Sequence, residues 1–240
     1  MISEVSTGMT LNDELSTLLL ANGANMVGFA DLHDIPPDIR EGFPLGVSIA
    51  VALNPEIVSR IEKGPTRQYH AEYQRVNQLL DSLGHNTAQF LEERGYRAQW
   101  SAATNANIDA DTLATRFPHK TVATRAGLGW IGKCALLVTW PYGSAVRITS
   151  VLTDASLSID DAVNTFNCGD CHACVDVCPG QAPSGIEWQI NLHRDGFFDA
   201  FACRNAAREL AIRKIKRRET ICGMCIAVCP WTQKYIVKSQ

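Results

Sequence analysis

Cys168, Cys171, Cys174 and Cys178, closed by Pro179, form the run C-x2-C-x2-C-x3-C-P, and no other stretch limits so tightly what the chain can fold into. That spacing is the one that places thiolates around a 4Fe–4S cubane. Two-residue gaps let one tight loop bring three thiolates to three corners, while the fourth cysteine points away to a second cluster. A zinc site would instead present well-separated Cys-x2-Cys knuckles. A second run, Cys222, Cys225 and Cys229 before Pro230, repeats the end of the pattern, with Glu219 where its first cysteine would stand. The two runs fall one thiolate short of two cubanes, and Cys203 and Cys134 are the cysteines left. Cys203 lies in the same C-terminal stretch, whereas Cys134 opens an apolar strand where a plain buried thiol is expected. The expected sets are therefore Cys168, Cys171, Cys174 and Cys229 for one cluster, and Cys178, Cys203, Cys222 and Cys225 for the other.

Nine cysteines in a chain with no basic n-region, apolar h-region or paired arginines at its start point to the reducing cytoplasm, and there to metal rather than disulfides. A net charge of −3 excludes a polycation built for nucleic acid, and no apolar run is long enough to span a membrane. The stretch 204–219 is locally basic, which fits a solvated helix face or an acidic partner.

Hydrophobic periodicity predicts a helix over 10–22, strands near 25–30 and 47–53, and a long helix from Pro65 to about Arg94 that Gly84 interrupts. Another strand is expected over 96–101 and a helix over 118–125. Residues 135–140 and 145–152 alternate around Pro141-Tyr142-Gly143-Ser144 and read as a hairpin. The fold class is α+β, with a mixed α/β domain over 1–160 and a small bacterial-ferredoxin-like two-cluster domain over 161–240. Gly127-Leu128-Gly129-Trp130-Ile131-Gly132-Lys133 matches G-x-G-x-x-G and most of a P-loop. Cys134 stands where a P-loop has Ser or Thr, and a helix rather than a strand precedes, so phosphate binding is not expected. Its glycines instead suit close backbone approach to something flat or bulky, with Trp130 as a wall.

The AGLGWIGK segment, the ALLVT that follows it and the tail CGMCIAVCPW together resemble the epoxyqueuosine reductase family, which is related to the reductive dehalogenases. The resemblance covers about residues 65–235. It implies a cobalamin-binding domain of nitroreductase-like topology ahead of two 4Fe–4S clusters, in a short member without the family's C-terminal helical-repeat domain. It also supports an isolated cysteine such as Cys203 completing the shortened run. Electrons would pass from a low-potential donor such as ferredoxin or flavodoxin through both clusters to cobalamin, for reductive cleavage of a small molecule or of a nucleoside in tRNA.

Under that resemblance Gly127 to Lys133 line the cofactor. The family's aspartate proton donor counts back to Leu113, with Asp109 and Asp111 beside it. The candidate proton sources are Asp111, His119, Lys120 and Tyr142. Two other readings keep the clusters but change the rest: an electron carrier or corrinoid-reducing activase without substrate chemistry, and a flavin-dependent reductase.

Overall fold

The computed structural model describes residues 8–104 and 108–239. Helix α1 (Leu11–Ala21) begins at Thr10, whose side chain accepts from the Asp13 backbone while Asp13 reaches back to Thr10, a reciprocal capping box. Strands β1 (Met26–Asp31) and β2 (Leu45–Ala52) follow, then a single turn, α2 (Pro55–Val58). The long α3 (Arg67–Glu92) is capped by Thr66. It runs unbroken through Gly84, contrary to the expected interruption. A Cβ at Gly84 would lie 3.4 Å from the Trp100 ring and 3.6 Å from Thr149, so the glycine lets the helix lie close on the sheet without ending it.

Next come β3 (Ala98–Ser101), α4 (His119–Arg125), the two-residue strands β4 (Trp130–Ile131) and β5 (Leu137–Val138), and β6 (Val146–Thr153). The main sheet has the order β1-β2-β6-β3 and is antiparallel throughout. The hairpin expected over 135–152 does not form as such. Its first arm pairs back onto β4, its second joins β2 and β3, and only the bridge between Thr139 and Gly143 survives at the turn. A register that buries β6 between two strands outweighs a local pairing along one arm.

Alternation along the strands gives the sheet two apolar faces. Val47, Ile49, Val51 and Val151 join the core under α1 and α3, while Ala50 and Leu152 join Val122 and Ala126 under α4. The rest of the chain contributes α5 (Ala173–Asp176), a 3-10 turn at Arg194–Gly196, α6 (Ala200–Ile215), α7 (Met224–Ala227) and α8 (Pro230–Lys238). Ala211, Ile215, Ile221, Ala227 and Ile236 are buried in the same core as α1 and α3, so the apolar interior runs without a break from the sheet into the cysteine-bearing segment. Among the described residues, no helix is long and apolar enough to cross a membrane.

Candidate iron–sulfur and cofactor site

Both cysteine runs end in the same local form. Cys174 lies in α5 and Cys225 in α7, these short helices pack together, and each run closes with Cys-Pro. Pro230 takes the first turn of α8, where a missing N–H costs nothing. All nine cysteines are free thiols; eight are partly buried and Cys134 is buried.

Their surroundings fall into two groups. A cavity of about 90 Å³ is lined by Cys168, Cys171, Cys174, Cys229, Cys225 and Cys134. In the second group, burial pushes the Cys203 thiol of α6 up to about 11, with Cys178 and Cys222 nearby adding to the rise. Burial also raises Cys222, again with Cys178 as neighbour. A metal that binds thiolates would hold these sulfurs deprotonated where the bare fold does not. The donor set, all soft sulfur and in two clusters, fits iron–sulfur ligation.

The AGLGWIGK segment seats the first group. A Cβ at Gly129 would overlap the Val138 carbonyl, so the segment can pair with β5 only because that residue is glycine. At Gly132 a Cβ would stand 3.6 Å from the Cys168 sulfur and 3.7 Å from that of Cys134. The fully buried Trp130 donates its indole N–H to Cys168 Sγ at 3.5 Å, and Lys133 Nζ donates to the Gly169 carbonyl at 3.0 Å. Cys134 lies within hydrogen-bond reach of Cys174 and Cys225, which pull its thiol in opposite directions, and burial adds to a net rise.

Two clefts open nearby and share Lys120 and Arg194. One, of about 470 Å³, lies between Asp34, Thr124, Arg125 and Ile131 on one side and Trp188, Asn191 and Phe197 on the other. The second, of about 540 Å³, runs from Ile108 and Leu113 past Lys120 to Cys134, Cys203, Arg204 and Arg208. Lys120 Nζ donates to the Ala135 carbonyl at 2.6 Å, and burial, with Arg194 nearby, pushes its ammonium down to about 8. Arg194 donates to the carbonyls of Leu113 and Thr112 and so ties the 108–116 loop to the turn at 194–196.

The four candidate proton sources do not converge. Lys120 faces both clefts. His119 pairs its Nδ1 with Ser150 Oγ (2.7 Å) and donates from Nε2 to the Ala102 carbonyl (2.9 Å), so both nitrogens are used within the fold, and burial lowers the ring's affinity for a further proton. Asp111 is exposed on a turn capped by Asp109, and Tyr142 packs edge-on to Tyr235, 5.1 Å between centroids, away from both clefts.

Residues 167–232 match the 4Fe–4S double cluster binding domain. Epoxyqueuosine reductases are among the similar proteins. That of Pseudomonas aeruginosa is 34% identical over 116 residues, 48% of this chain and 32% of that one. That of Atelocyanobacterium thalassa is 31% identical over 207 residues, 85% of this chain and 63% of that one. The chain is epoxyqueuosine reductase-like and carries two 4Fe–4S clusters. It spans less than two thirds of the length of these relatives. Two solved structures share the fold: a reductive dehalogenase described as B12-dependent, with TM-score 0.71, 18% identity and coverage of 95% of this chain and 33% of that one, and an epoxyqueuosine reductase with an epoxyqueuosine-modified tRNA stem loop, with TM-score 0.59, 20% identity and coverage of 93% and 65%.

In this epoxyqueuosine reductase-like frame, the arginines of the clefts are what motif reading missed. Arg194 comes from a turn that no local pattern marks, while Arg204 and Arg208 belong to the basic stretch 204–219, whose charge was legible but whose place beside Lys120 was not. Arg204 stacks over Phe201 at 5.0 Å, and its buried Nε has no hydrogen-bond partner among the described residues. Such an orphaned donor beside Cys203 fits an oxygen acceptor from a bound molecule.

Proposed function

We propose that the chain is an iron–sulfur reductase that delivers electrons through two 4Fe–4S clusters to a cobalamin bound along the clefts lined by Lys120 and Arg194. The observation that carries this reading is the second cleft, which has a cluster cysteine, Cys203, in one wall and Lys120, Arg194, Arg204 and Arg208 around it. One cluster would be held by Cys168, Cys171, Cys174 and Cys229, the other by Cys178, Cys203, Cys222 and Cys225. When bound, the clusters supply single electrons and the corrinoid a cobalt centre for reductive bond cleavage.

The chain's own part is to bind, orient and protonate. The cationic wall suits the amide oxygens and phosphate of a corrinoid, and Arg204 Nε is free to meet one of them. Reductive cleavage of a carbon–oxygen bond takes up two electrons and two protons, and at least one of the protons goes to the leaving oxygen. Lys120 Nζ, at about 8, holds such a proton near neutral pH and can release it. The fold up to about residue 160 is read as nitroreductase-like, the remainder as the ferredoxin-like unit, in a reducing cytoplasm where thiolates persist. The substrate class is a modified nucleoside in tRNA or a small molecule, and the donor is ferredoxin or flavodoxin.

The test is anaerobic reconstitution followed by titration with hydroxocobalamin. Corrinoid bands that stay with the protein through gel filtration, and are lost in Lys120→Met with Arg194→Gln, support the reading. Loaded clusters with no corrinoid uptake reject it in favour of an electron carrier, and retention of flavin mononucleotide instead rejects it in favour of a flavin reductase.

A further inference from the structure

We propose that Trp130 and Lys133 set the reduction potential of the cluster held by Cys168, which makes the two clusters electronically inequivalent. The inference rests on the double-cluster reading and goes beyond it, since it concerns side chains that ligate nothing. Cys168 Sγ takes the Trp130 indole N–H at 3.5 Å and also the backbone N–H of Lys133. Lys133 is itself only 3% exposed, and its Nζ is fixed on the Gly169 carbonyl inside the cluster loop.

The indole cannot swing away. Trp130 is fully buried and wedged edge-on between Trp140 (centroids 5.4 Å apart) and Trp231 (5.2 Å). Trp231 also lines the cavity that holds the cysteines of this group. Around the other group the described N–H donors to sulfur are backbone groups, from Ala182 to Cys178 at 3.4 Å and from Met224 to Cys222, and the cations of the second cleft line the wall beside Cys203 without a described hydrogen bond to its sulfur. An N–H directed at a cluster thiolate, or a cation beside it, stabilises the reduced and more negative state, so it raises the potential. The AGLGWIGK segment thus acts on the cluster directly, through a side chain that substitution can remove.

An EPR-monitored redox titration of the full chain with both clusters loaded tests this. Trp130→Phe keeps the ring but removes the N–H, and the expected result is a lower potential for one cluster with the other unmoved and iron and sulfide unchanged. Lys133→Met lowers the same cluster, and Trp140→Phe, which touches no cysteine, moves neither. If Trp130→Phe fails to load, unsubstituted protein labelled with 15N in its indoles decides: pulsed EPR shows an indole nitrogen coupled to one reduced cluster. Trp130→Phe leaving both potentials in place, or moving both together, or no indole coupling, overturns the inference. Wild-type iron short of two four-iron clusters rejects the double-cluster reading instead.

Discussion

His70 Nε2 of α3 lies 2.8 Å from Glu219 Oε2. Glu219 occupies the position where the second run lacks its first cysteine, so that position faces a buried histidine on the long helix. His70 therefore does more than pack on an amphipathic helix; it anchors the segment that leads into Cys222. Because the Glu219 side chain is 43% exposed, the link is worth about 0–1 kcal/mol. Glu219→Ala is expected to keep both clusters and to lose no more than that, measured by iron content and urea unfolding. Loss of a cluster in this variant would make Glu219 a ligand.

The close approach of β5 to Gly129 leads to a second expectation. Gly129→Ala places a methyl group against the Val138 carbonyl, a backbone atom that cannot rotate aside. The variant should be destabilised by about 1–3 kcal/mol, read from the unfolding midpoint. An unshifted midpoint would mean that β4 and β5 are not paired this way.

Lys120 gives a pH signature. Its folded value of about 8 lies below the ordinary 10.5, so at neutral pH the ammonium is charged in both states and the burial cost is fully present. As pH rises from about 8 to 10.5 the folded state sheds its proton first, and stability climbs. Relative to Lys120→Met, which has no such proton, the wild type should gain on the order of 2 kcal/mol across that window. Anaerobic urea midpoints at several pH values measure it, and a flat difference contradicts it.

Cys134 lies within hydrogen-bond reach of Cys174 and Cys225 and stands outside both proposed ligand sets. Cys134→Ala should retain the iron and sulfide of both clusters, at a cost of about 1–2 kcal/mol for the small cavity. Loss of one cluster in Cys134→Ala would move it into the ligand set in place of Cys203.

The cysteine chemistry was legible in sequence because ligand spacing is local: a loop that wraps a cubane needs its residues within a few positions. Counting narrows the missing ligand to Cys203 or Cys134, since two cubanes need one more thiolate than the runs provide. Capped helices such as α1 were legible for the same local reason, with Thr10 and Asp13 three residues apart. The hairpin was not. Its alternation is real, but β6 finds better partners in β2 and β3, and nothing local reports on strands a hundred residues away. The clefts were hidden too, because Lys120 and Arg194 meet only through the tertiary fold. His119 illustrates the opposite failure: its residue type suggests acid–base work, while the fold spends both its nitrogens on Ser150 and Ala102.

The central claim is two four-iron clusters with Cys203 as a ligand to one of them, and iron and sulfide analysis with Mössbauer spectra of anaerobically reconstituted protein tests it most directly. Two cubane clusters in the wild type and one in Cys203→Ala are expected. A single cluster in the wild type, or an unchanged iron content and spectrum in Cys203→Ala, would contradict it.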